Sequence, residues 1–203
     1  MNLYEKIKYR FFRVYNFIWI KWNNYDFEGK ILASELDVPS QLIKHTTIFQ
    51  SANLMDLYDA FHYLIKINKS QTYDNFIDIG SGKGKSIIYA EKLKIAKSFI
   101  GVEIDKNLTS IAKLNATKTK SRIKFICKNA LEFKIPEGKN VLFLFNPFDD
   151  FVIKKFLDNN KKFLKNTIII YIKSNSTFKF EIYGYNKIYS NKQRNNISIF
   201  SMR

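Results

Sequence analysis

The run Phe76-Ile77-Asp78-Ile79-Gly80-Ser81-Gly82-Lys83-Gly84-Lys85-Ser86 constrains this chain more than any other segment. A short apolar stretch delivers an acidic residue. Three glycines follow at alternate positions, and Ile87, Ile88 and Ala90 then take up helical spacing. Glycine, lacking Cβ, lets the backbone turn sharply and lets a ligand rest against bare amides. The helix that follows aims its positive N-terminal end into the same space. Strand, glycine turn and helix in this order predict a place to hold a nucleotide-like molecule.

Spacing separates the kinds of loop. A phosphate-gripping loop puts four residues between its first glycine and Gly-Lys-Ser/Thr; Gly80 and Gly84-Lys85-Ser86 are separated by three. A dinucleotide loop reads GxGxxG, and this one reads GxGxG. The next apolar run, Ser98-Phe99-Ile100-Gly101-Val102-Glu103-Ile104-Asp105, ends in acid. Glu103 lies about 20 residues past the glycines, where a carboxylate reaches ribose hydroxyls in a nucleotide-binding unit. A third strand, Ile123 to Cys127, leads into Lys128-Asn129-Ala130. Asn140 to Phe145 is continuously apolar, as a central parallel strand should be. It stops at Asn146-Pro147-Phe148-Asp149-Asp150. Proline cannot continue a central strand, so it turns the Asn146 amide into the cleft where open α/β sheets place their chemistry.

Asp78-x-Gly80-Ser81-Gly82-Lys83-Gly84, Gly101-Val102-Glu103-Ile104-Asp105 and Phe145-Asn146-Pro147-Phe148 resemble class I S-adenosylmethionine-dependent methyltransferases, in particular a small bacterial group with D-x-G-S-G-K-G and N-P-F motifs. Phe49-Gln50-Ser51-Ala52 is similar to the short element before the first strand in that group, and the resemblance spans roughly residues 45 to 175. It implies a Rossmann-like seven-stranded sheet, mostly parallel with a C-terminal antiparallel strand, plus N-terminal helices. It also implies S-adenosyl-L-methionine as cofactor. Asp78, Gly80, Ser81, Gly82 and Gly84 then hold its amino-acid end, Glu103 its ribose, and Asn129 its adenine, where Asp is usual. Gln50, Ser51, Ile104, Ala130 and Asn146 complete the expected cofactor contacts. Asn146-Pro147-Phe148 further resembles the N/D-P-P-F/Y motif of enzymes that methylate nitrogens, without its second proline. On that reading Asn146 and the Pro147 carbonyl accept hydrogen bonds from the attacking nitrogen, and Phe148 stacks on a planar acceptor or meets a cationic one. The acceptor, whether protein, nucleic acid or small molecule, is not fixed by any motif. Two rivals stay open: a P-loop-like nucleotide hydrolase, suggested by Gly84-Lys85-Ser86, and a non-catalytic protein binding RNA or membrane through its lysines.

At 203 residues one domain is expected, with residues 1–70 as a helical cap and 71–203 as the cofactor-binding core. The net charge of +16 rests on lysine; arginine occurs only at Arg10, Arg13, Arg122, Arg194 and Arg203. Base-reading proteins lean on arginine. Lysine, asparagine and isoleucine are abundant together, as in AT-rich coding, so contact with an anionic surface and codon drift both remain open. The single cysteine, Cys127, forms no internal disulfide and is expected in the core. His45 and His62 are isolated, and no metal-ligand spacing is present.

Leu3 to Trp22 interleaves aromatics with Lys6, Lys8, Arg10, Arg13 and Lys21. It lacks the unbroken apolar stretch of a signal peptide, and its charges make it a poor transmembrane span. It either packs on the catalytic sheet as a lid, the preferred reading, or lies as a basic amphipathic helix on an acidic membrane. A cytoplasmic protein is expected, membrane-associated under the second reading. Further helices are expected over Asn53–Ile67, Lys85–Leu93, Asn107–Thr117 and Asp150–Leu164, with a fifth strand over Thr167–Lys173. Phe178–Tyr185, Lys187–Tyr189 and Ile197–Met202 read as a terminal antiparallel pair. Alternating strands and helices make a parallel sheet covered on both faces, which brings Gly80, Glu103, Asn129 and Asn146 to one cleft. One of Asp149 and Asp150 is expected to cap the helix they precede.

Overall fold

Strands that are apolar at every position must be covered on both faces, and this sheet is. The computed structural model describes residues 3–68, 72–172, 178–192 and 196–202. In chain order the elements are α1 (Leu3–Trp22), β1 (Lys30–Ile31), α2 (Ser40–Ile43), β2 (Phe49–Gln50), α3 (Leu54–Ile67), β3 (Tyr73–Ile79), α4 (Lys85–Lys92), β4 (Ala96–Glu103), α5 (Lys106–Thr117), β5 (Lys124–Cys127), β6 (Asn140–Phe145), α6 (Asp150–Asn159), β7 (Thr167–Ile172), β8 (Tyr185–Asn191) and β9 (Ile197–Met202). Seven strands form one sheet in the order β5-β4-β3-β6-β7-β9-β8. The first five in that order run parallel, and β9 is antiparallel to both its neighbours. This is the Rossmann-like, mostly parallel sheet that the resemblance implies.

Strand alternation splits the core in two. Phe76, Val141 and Phe143 face α3 and α4, whereas Ile77, Ile79, Leu142 and Leu144 face α6. Phe61 of α3 meets Phe76 and Phe143 edge-on, with ring centroids 5.4 and 5.6 Å away. Each such fully buried side chain contributes roughly 1.5–3 kcal/mol. Three helices start on side-chain caps: Asn53 accepts from the Met55 amide, Asp105 from Leu108 and Asp149 from Val152. Asp149 is therefore a cap of the helix it precedes. These caps hold the helices against the strand ends at which the cleft opens.

Four expectations are corrected. The helix from Asp150 ends at Asn159, not Leu164, and a 3₁₀ turn over Lys161–Asn166 follows. Asn160 is fully buried, donates to the Phe133 and Phe156 carbonyls and accepts from the Ile135 amide, so it turns the chain there. Phe178–Tyr185 is no strand: Phe180–Tyr183 is a 3₁₀ turn ending on Gly184 at φ 84°, and β8 begins at Tyr185, taking in Lys187–Tyr189. Cys127 is exposed rather than in the core, because β5 is an edge strand. Finally, α1 packs on α3 and α4 rather than on the sheet, whose face those helices already cover. Phe12 lies 4.7 Å from Tyr58 and Trp19 5.7 Å from Tyr89, centroid to centroid, and Lys8 pairs with Asp59 at 2.6 Å. Lys173, at the end of the expected fifth strand, lies outside the described residues.

Candidate active site

At the carboxyl ends of β3, β4 and β6 the chain must reverse without filling the space above the sheet. Gly80, Gly82 and Gly84 do so with φ of 74°, 51° and 84°, values that L side chains rarely adopt. The close approaches are as demanding as the angles. A Cβ on Gly80 would lie 2.6 Å from the Cβ of Pro147, and one on Gly82 would lie 2.4 Å from the Phe49 ring. The turn is thus threaded between the N-P-F segment and β2. It enters α4 with no side-chain cap, leaving that helix's first amides to the loop.

A cleft of about 280 Å³ lies above this turn. It is lined by Asp78, Gly80, Ser81 and Gly82 from the loop, Glu103 and Ile104 from the end of β4, and Asn129 and Ala130 beyond β5. Asn146, Pro147 and Phe148 line it from β6, and Gln50 and Ser51 from β2. One residue expected there is not brought in: Gly84 sits under Phe125 and Ala112, 2.8 and 3.3 Å from where its Cβ would be, and serves the packing of α4 instead.

Asp78 forms the floor. It is 2% exposed, and its Oδ2 has no hydrogen-bond partner. Burial first, and then the charge of Glu103, push its carboxyl well above the ordinary range. Glu103 is better served. Its Oε2 accepts from the Gly82 amide at 2.9 Å, and its Oε1 from the amides of Ile104 and Asp105 at 2.8 and 3.0 Å. Burial raises its pKa, and the three amides pull it partway back. Through Gly82 this carboxylate fixes the glycine turn to β4. The Asn129 side chain accepts from the Leu131 amide, capping a short 3₁₀ turn at the cleft edge.

Residues 42–52 cover the cleft. Thr46 bridges to Phe148, the Thr47 hydroxyl donates to the Asn146 carbonyl, and His45 Nδ1 lies 2.6 Å from Asp149 Oδ2. Burial alone would raise the Asp149 carboxyl, but His45 and the Val152 amide outweigh it and leave it below the ordinary value. Asn146 takes φ 42°, a strained value that asparagine tolerates and that marks functional turns. Thr47 and His45 belong to no motif, and their pairing with residues about a hundred positions away leaves no local signal.

The loop lysines Lys83 and Lys85 also line the cleft, but their ammonium groups are engaged by acidic and carbonyl oxygens. Lys83 donates to Asp26 Oδ1 and to the Glu28 carbonyl, both at 2.7 Å. Lys85 lies 3.8 Å from Glu28 Oε1; burial lowers its pKa and Glu28 partly restores it. Both cations of a would-be phosphate loop are thus taken up by the segment after α1. Among the described residues no cluster of His, Cys, Asp or Glu could hold a metal ion.

A seven-stranded sheet with its last strand reversed and a glycine-threaded cleft at the parallel ends is the fold of class I methyltransferases. Residues 56–155, just under half of the chain, match the family model "Histone methylation protein DOT1". No curated protein matches the chain in sequence. Among solved structures, the ribosomal protein L11 methylase of Lactobacillus delbrueckii subsp. bulgaricus is similar at 15% identity and a TM-score of 0.52, over 72% of this chain and 79% of that one. A Pyrococcus horikoshii protein provisionally described as an RNA methyltransferase is similar at 16% identity and 0.57, over 84% and 92%. A mutant of MtNAS in complex with S-adenosylmethionine is similar at 13% and 0.57, over 72% and 61%. At such identities the likeness is one of fold.

The residues present suit that cofactor. An unpartnered, buried carboxylate oxygen at Asp78 asks for an ammonium or another strong donor, and the Gly80–Gly82 turn, Glu103 and Asn129 line the same cleft beside it.

Proposed function

We propose that this chain is an S-adenosylmethionine-dependent methyltransferase whose acceptor atom is a nitrogen. The unsatisfied Asp78 carboxylate under the glycine turn carries this reading. Asp78 would hold the ammonium group of the cofactor, the turn at Gly80 to Gly82 its amino-acid end, Glu103 its ribose, and Asn129 with Ala130 its adenine. When bound, the cofactor supplies a methyl group already activated by a sulfonium. The protein has chiefly to position the acceptor and exclude water. Asn146 and the Pro147 carbonyl are suited to accept hydrogen bonds from an N–H and so aim the nitrogen's lone pair. Phe148 offers an apolar wall, and Thr47 keeps the Asn146 turn in place. A match to a histone methylation family favours a protein acceptor, and the nucleobase is the other nitrogen class. Engagement of Lys83 and Lys85 by Asp26 and Glu28 weighs against the phosphate-gripping alternative.

Calorimetry with S-adenosylhomocysteine tests the cofactor. Micromolar binding that falls at least tenfold in Asp78→Ala is expected; binding of ATP with magnesium in its place overturns the reading. Incubating cell-extract fractions with methyl-labelled cofactor then identifies the acceptor. Asn146→Ala should lower turnover on that acceptor while affinity for the cofactor product stays nearly unchanged.

A further inference from the structure

The outward face of α1 is apolar. Helical residues three and four apart stack into one stripe. Leu3, Ile7, Phe11, Val14, Ile18 and Trp22 follow that spacing and are 73, 59, 62, 59, 53 and 87% exposed. Folding does not use this stripe, because α1 packs through another side, where Phe12 and Trp19 are buried. A helix with one apolar face toward the core is the usual case. A second such face, left in water over the whole length of the helix, is the mark of a binding surface. Alongside it Lys6, Arg10, Arg13 and Lys21 form an exposed basic row, and the one acidic residue of the helix, Glu5, is half-buried.

We infer that α1 lies flat on an anionic lipid surface, its stripe among the upper acyl chains and its basic row on headgroup phosphates. No helix among the described residues is long and apolar enough to cross a bilayer, so the contact is peripheral. Charge complementarity selects this occupant. A second copy of the chain would bring two such basic rows together on molecules of net charge +16. A nucleic acid would answer the basic row and leave six large apolar side chains in water. An anionic bilayer answers both. The underside of the same helix, at Phe12 and Asn16, lines a second cavity that shares Gln50, Ser51 and Lys85 with the candidate cleft. Docking would therefore hold the cleft one helix away from the lipid. The inference does not depend on methyl transfer.

The test is co-sedimentation of the full chain with vesicles of phosphatidylcholine alone or with one-third phosphatidylglycerol, read together with tryptophan emission. Partition at least tenfold stronger into the anionic vesicles is expected, with a blue shift that brominated lipid quenches and that is lost in Trp22→Phe. The double variant Phe11→Ser/Ile18→Ser alters only exposed positions; it should keep the wild-type melting temperature and lose at least tenfold in partition. Lys6→Gln/Arg10→Gln should lose binding to anionic vesicles selectively. Equal partition of the apolar-face variant and the wild type overturns the inference. So does a dimer in sedimentation velocity that the apolar-face variant dissolves without any vesicle binding, and so does RNA binding lost in the basic-row variant without vesicle binding.

Discussion

At Asp78 stability and function pull in opposite directions. An ordinary aspartate ionises near 3.8, and in the fold this one is held well above that. Between the two values the folded protein keeps a proton that the unfolded chain has released. Stability of the ligand-free protein therefore declines as pH rises from about 4 through the raised value, and levels off beyond it. Glu103, raised by the same burial, acts in the same direction. Asp78→Asn should flatten this decline and raise the melting temperature at pH 7, by relief of an unsatisfied buried group of roughly 1–3 kcal/mol, while cofactor binding is lost. Thermal scans at pH 5 and pH 8 decide it: a variant less stable than wild type at pH 8 would show that the carboxylate is already satisfied. Gly82 is the second point of strain. Gly82→Ala combines φ 51° with a 2.4 Å approach to Phe49 and should cost about 1–3 kcal/mol in urea unfolding, where a neutral result would mean that the turn can move.

Among elements, those readable in the sequence were the ones whose pattern is local. The apolar runs of β3 and β6 are buried on both faces, and their ends carry the glycine turn and the N-P-F segment, so the parallel sheet and its cleft followed from periodicity and spacing, and the seven-strand arrangement from the family resemblance. Elements stopped by distant partners were not readable. Asn160 ends α6 through groups 25 and 27 residues earlier, which no window of sequence contains. Asn160→Ala strands an amide and two carbonyls and should destabilise by about 3 kcal/mol, measured as a lower urea midpoint with unchanged slope. The cover over the cleft was invisible for the same reason. Thr47→Val removes one hydrogen bond to the Asn146 carbonyl, worth roughly 1 kcal/mol. It should lower turnover on the acceptor about fivefold with little change in melting temperature or in affinity for S-adenosylhomocysteine; unaltered turnover would mean that the Asn146 turn holds without it.

For the whole molecule, the placement of α1 could not be settled by its sequence, since it carries apolar residues on two faces and only tertiary contact shows which is used. The same holds for residues 26–28, which have no periodicity yet take up both lysines of the glycine turn. The sheet itself has a further consequence. β9 lies between β7 and β8, antiparallel to both, although it follows both in the chain. Without residues 197–202, β8 has no neighbour and the edge of β7 is open, so a chain truncated before Ile197 should show no cooperative urea transition. During translation the ribosome releases β7 and β8 ahead of the strand that must part them. A nascent chain waiting with a bare, apolar strand edge is the kind of client that chaperones shield, and the yield of native protein would then depend on how long that wait lasts.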